Sequence, residues 1–104
     1  MIIGPVIKQK RKLYGGASYH REIIAKYGAT LRSNVQRGFM TDDGKFLSRT
    51  DGAAYVVSVG QKLNSSYPDL KKCSFKLHSC AIRSEDLDIE KVMDFVEKHN
   101  RELE

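Results

Sequence analysis

The chain carries none of the short signatures that usually mark catalytic or metal sites. Its 104 residues contain no Cys-x-x-Cys or His-x-x-x-His pair, no Gly-x-Ser-x-Gly elbow, no His-Glu-x-x-His helix and no Walker loop. The three histidines, His20, His78 and His99, are scattered, so neither a metal nor a cofactor is expected. There are only two cysteines, Cys73 and Cys80; seven residues apart on an extended strand they point to opposite faces, which excludes a bond between them and leaves both as packing residues. No apolar run approaches the roughly 18 to 20 residues needed to cross a bilayer, and Met1-Ile2-Ile3-Gly4-Pro5 is too short for a signal peptide. No membrane partner is expected, and the expected location is the cytoplasm. Internal repeats and low-complexity segments are also missing.

Hydrophobic residues make up 40% of the chain and charged residues 30%, the composition of an ordinary folded domain, and the length suits one core spanning residues 1 to 104. The charge is unevenly spread. Residues 1 to 50 hold ten Lys or Arg against three acids, a net +7, whereas residues 51 to 104 hold eight against ten, a net −2. An anionic partner would therefore meet the first half, although a basic surface can also serve solubility alone.

Val6 to Tyr14 reads as a strand in which Lys8, Lys10 and Lys12 alternate with Gln9 and Arg11, so polar that it belongs at a sheet edge or in a wet groove. Gly15 and Gly16 follow. Ser18 can cap a short helix carrying Tyr19, Ile23 and Tyr27, with Gly28 at its C-terminal end free to take positive φ. Val35–Met40 and Lys45–Leu47 form a hairpin around Thr41-Asp42-Asp43-Gly44. Ser48-Arg49-Thr50-Asp51 has the form of a capping box, so Ala53 to Leu63 is read as helix despite its valines. Asn64 to Asp69 is the expected mobile loop, and Lys72 to Ile82 alternates like a half-buried strand. The last segment is an amphipathic helix with Ile89, Val92, Met93, Val96 and Leu103 on its apolar stripe, widened by Phe95. The whole predicts an α+β fold: a small, mostly antiparallel sheet with two or three helices.

Two clusters suit an anion. Gly15 and Gly16 would let backbone approach a ligand, with Arg21 placed for bidentate phosphate contact and His20, Tyr14 or Tyr19 for hydrogen bonding or stacking. A lone Gly-Gly pair is a weak signal, since most such pairs are plain turns. In the second cluster Arg37, Thr41, Lys45 and Arg49 bracket the hairpin; alternatively Arg49 pairs with Asp42 or Asp51 and holds the turn shut.

The stretch "GFMTDDGKFLSRTDGAAYVVSVGQ", with "SEDL" further on, resembles a family of small phage and prophage proteins. Their shared pattern runs Gly-Phe-x-Thr-x-x-Gly-Arg-Phe-x-x-Arg, then an alanine, a Gly-Gln and a Ser-Glu-Asp-Leu. Gly38, Phe39, Thr41, Gly44, Phe46, Arg49, Ala53, Gly60, Gln61 and Ser84 to Leu87 match in order, as do Gly16, His20, Ile23 and Ile24 upstream. Lys45, Ser48 and an added C-terminal helix depart from it.

The resemblance implies a phage setting, in which small proteins often counter host defence by sequestering a nucleotide second messenger. Joined to the anion-suited clusters, it leads to the expectation of a homo-oligomeric, non-enzymatic binder of a cyclic oligonucleotide or ADP-ribose derivative in the host cytoplasm. Arg21 and Arg49 would hold phosphates, with His20, Tyr14 or Phe39 against the base. The alternatives are a nucleic-acid-binding or protein-binding inhibitor of a host complex, and a nucleotide-processing enzyme using His20 as general base.

Overall fold

The computed structural model describes residues 1–31, 35–64 and 76–103. Four antiparallel strands lie in the order β2-β1-β3-β4: β1 is Ile2–Gln9, β2 Lys12–Tyr14, β3 Gln36–Thr41 and β4 Phe46–Ser48. Helices α1 (His20–Tyr27), α2 (Arg49–Val59) and α3 (Ile89–Glu102) complete the α+β fold, with short single-turn helices at Ser79–Ala81 and Ser84–Asp86. Among the described residues no helix is long and apolar enough to cross a membrane.

The sheet is sandwiched. Ile3, Val6, Leu13 and Met40 pack against Val92 and Val96 of α3. Elsewhere in the core Ile2 and Phe39 pack with Ala53 and Val56 of α2, while Ile7 and Tyr14 pack with Ile23 of α1. With helices against it on two sides, β1 is apolar along nearly its whole length, as a strand covered on both faces must be. That corrects the expectation of a basic edge strand over Val6 to Tyr14. The segment folds instead into a tight hairpin, turning at Lys10 with φ 56°, which leaves β1 central and only the three-residue β2 at the edge. Pro5 is tolerated inside a central strand because β2 reaches only as far as Ile7, and because the β1–β3 register shifts between Ile2 and Gly4.

Two side-chain amides act as substitute strands. Asn100 of α3 accepts from Leu13 N at 2.9 Å and donates to Leu13 O at 3.0 Å, closing the outer edge of β2. Gln61 does the same for Ile2, at 2.7 and 3.0 Å, just after Gly60 ends α2 with φ 72°. Gly60-Gln61 is thereby a helix stop joined to a backbone clamp.

The hairpin forms as expected, with Gly44 at φ 85°. Ser48 caps α2 by accepting from Asp51 N at 3.1 Å. Three expectations need correction. Ser18 does not cap α1: the helix starts one residue later, with Tyr19 at the cap position and Ser79 Oγ, from a distant segment, accepting from His20 N at 3.1 Å. Gly28 keeps right-handed helical angles, because the chain continues into a further turn bonded back to Tyr27 O. The described end of the Lys72–Ile82 segment is not a strand. Leu77 and Ala81 are buried as the alternation requires, but Leu77 N bonds to Arg49 O and Ala81 N to His78 O, so the backbone docks on the start of α2 and then coils into a turn. Residues 65–69 of the expected loop, and the side chains of Cys73 and Cys80, lie outside the described residues.

Candidate functional site

The start of α1, strand β3, the start of α2 and the 77–79 segment meet around a cavity of about 310 Å³. Arg37 reaches it from β3, Arg49 from the first position of α2, and Arg21 from the first turn of α1. Tyr19, His20, His78 and Ser79 also line it. Among the described residues no carboxylate lines it, and the ion pairs leave Arg21, Arg37 and Arg49 without an acidic partner. Three guanidinium groups therefore converge without internal neutralisation. The resulting field attracts anions, and planar N–H forks are well matched to phosphate oxygens.

Each side chain is held by its surroundings. Arg49 donates from Nε to Leu77 O at 3.0 Å and from Nη2 to His78 Nδ1 at 2.8 Å. Because a guanidinium only donates, His78 must accept through Nδ1, which fixes its neutral tautomer in this arrangement. Burial, together with the positive charges of Arg49 and Arg37, keeps His78 below the usual histidine range. The expected pairing of Arg49 with Asp42 or Asp51 is absent: Asp42 is bound to the chain's own N-terminus at 2.8 Å. Arg21 stacks on the ring of Tyr19, 5.4 Å from its centroid.

His20 is only 6% exposed. Its Nε2 donates to Gly38 O at 2.7 Å, since the carbonyl can only accept, and its ring meets Phe39 edge-on at 5.1 Å. Its pKa falls to about 4, chiefly through burial and further through Arg49 and Arg37, against the raising effect of the carbonyls of Gly38 and Val6. The imidazole is thus a neutral tie between α1 and the sheet, with an edge on the cavity.

His20, Arg21 and Arg49 come together as the sequence suggested. Tyr19 and Arg37, also candidates, join them in the wall; the remaining candidates do not. Tyr14 is buried against Tyr27, with centroids 5.2 Å apart. A Cβ added to Gly15 or Gly16 would lie 3.4 Å from Met93 Sδ, and Gly16 has φ 103°, so this pair is a turn that lets α3 approach closely. Phe39 is fully enclosed in the core. Thr41 is spent inside the hairpin, donating to Asp43 and accepting from Lys45 N at 3.0 Å. Sequence reasoning missed Ser79 and gave His78 no role, because their partners lie 59 and 29 residues away. The only signal was that both follow Leu77, a core residue.

A second open groove of about 430 Å³ shares Arg37 and Arg49 and adds Gln36, Ser48, Thr50 and Lys76. No family model matches the chain, and neither a curated protein nor a solved structure does.

Proposed function

We propose that the protein binds a phosphorylated nucleotide in the cavity between α1 and α2 and holds it without chemical change. The observation that carries this reading is the convergence of Arg21, Arg37 and Arg49 on one cavity with no carboxylate among the described residues of its wall. The phosphate engages the guanidinium groups, and the base lies against Tyr19 and the His78 imidazole. The wall supports binding better than catalysis. With its pKa lowered to about 4, the His20 imidazole is a weak base, and the Nδ1 lone pair of His78 is taken up by Arg49.

The biological role that fits such a binder is sequestration of a nucleotide second messenger, a cyclic oligonucleotide or ADP-ribose derivative, as an anti-defence protein in an infected host's cytoplasm. That part of the proposal rests on the resemblance to small phage proteins. So does assembly into a homo-oligomer. The test is to mix the purified protein with cyclic di- and trinucleotides and ADP-ribose derivatives, follow the melting temperature, and analyse what is released on heating. A raised Tm with the ligand recovered intact is expected; hydrolysed products would replace sequestration by catalysis.

One observation favours a second reading. The shared arginines connect the cavity to the open Lys76 groove, a basic track that also suits a single nucleic-acid strand. That reading predicts affinity for oligonucleotides that drops steeply with salt, whereas a nucleotide cavity saturates at a fixed ligand-to-chain ratio with a shallower salt dependence.

A further inference from the structure

Arg37 and Arg49 each border both cavities, so together they form a wall between two differently equipped compartments. The first contains the Tyr19 and His78 rings, surfaces on which a base can lie. Among the described residues the second contains no aromatic ring; it offers the Lys76 ammonium, the Ser48 and Thr50 hydroxyls and the Gln36 amide, all suited to anionic oxygens. A guanidinium has five N–H donors, and Arg49 directs Nε at Leu77 O and Nη2 at the His78 ring, leaving its Nη1 donors for a ligand. A single phosphate at the arginine wall leaves the Lys76 compartment unused.

We propose that the ligand carries two linked phosphate groups, one held at the Arg37–Arg49 wall and the next in the Lys76 compartment, with its nucleoside base in the compartment of Tyr19 and His78. This rests on the nucleotide-binding reading and narrows it to ligands containing a nucleoside-diphosphate unit. Arg37 and Arg49 bridge the two groups, and Lys76 senses only the outer one.

The test is calorimetric titration of the four nucleoside monophosphates and the four diphosphates into the wild type and into Lys76→Gln, with Lys62→Gln as a control for net charge at a remote exposed lysine. The expected result is that the best diphosphate binds at least about tenfold tighter than its monophosphate. Lys76→Gln removes most of that advantage while leaving the monophosphate unchanged, and Lys62→Gln changes neither. Equal affinity for mono- and diphosphate overturns the inference while leaving the nucleotide-binding reading in place. The same holds if Lys76→Gln and Lys62→Gln weaken both ligands alike. If none of the eight nucleotides binds, the nucleotide-binding reading fails and this inference fails with it.

Discussion

The cores on which α3 and α1–α2 pack are built for different ends. Around α3 the packing is closed: Val92 and Val96 fill the core, Met93 covers the two glycines, Phe95 lies over Gly44, and Asn100 seals the edge of β2. Around α1 and α2 the apolar packing of Phe39, Val56 and Ile23 stops short of the helix starts, and the remaining space is walled by three arginines. The lesson concerns glycine. Gly15 and Gly16 look like ligand-binding backbone, yet they belong to the closed region, where they admit a helix. The open region is formed by residues from four separate segments.

The largest effect expected from breaking this division comes from the neutral histidine beneath the cavity. His20 has a folded-state pKa of about 4 against an ordinary 6.5, so between these values the unfolded chain binds more protons and stability is lost as pH falls from 6.5 to 4. The difference of about 2.5 units corresponds to roughly 3 kcal/mol. Urea unfolding from pH 7.5 to 4 should show this slope, and His20→Gln should flatten it while lowering stability at pH 7.5.

Next comes Gly38, whose added Cβ would lie 2.4 Å from Leu47 O, a backbone atom that cannot swing away. Gly38→Ala should cost about 2 to 3 kcal/mol, read from the denaturation midpoint. Smaller in energy but sharper for the comparison is Arg21→Gln. It should weaken nucleotide binding by roughly tenfold or more, the loss of a charge-assisted contact, with Tm shifted by less than about 2 °C. Its mirror image is Gly16→Ala, which imposes a side chain at φ 103° beneath Met93. Stability should fall by about 1 kcal/mol with ligand affinity unchanged. If Gly16→Ala impaired binding as much as Arg21→Gln did, the glycine turn would belong to the site after all.

Local rules were enough to read the hairpin, the Ser48 cap and the amphipathic α3, because turn chemistry, capping and helical periodicity are all short-range; the helix expected to reach Leu63 instead stops at Val59, where Gly60 takes a positive φ. They failed for β1, where lysines read as one exposed strand are the end of one strand and the start of another across a two-residue turn. They failed again at residues 77–82, where apolar alternation was real but the backbone found its partners in α2. Among the residues on which the resemblance to phage proteins rests, most serve the scaffold: Gly38, Phe39, Gly44, Phe46, Ala53 and Gln61 pack, turn or clamp. Only His20 and Arg49 among them reach the cavity. Their convergence was legible as a question; Ser79 and His78 were not, since nothing local marks a residue whose partner sits dozens of positions away.

The most direct test of an anion site between α1 and α2 is an amide NMR titration of the protein with a nucleoside diphosphate. Saturable shifts concentrated at Tyr19 to Arg21, Arg37, Arg49 and His78 to Ser79 are expected. Shifts centred instead on Gly15, Gly16 and the Thr41–Gly44 turn, or no shift at millimolar ligand, would contradict that site.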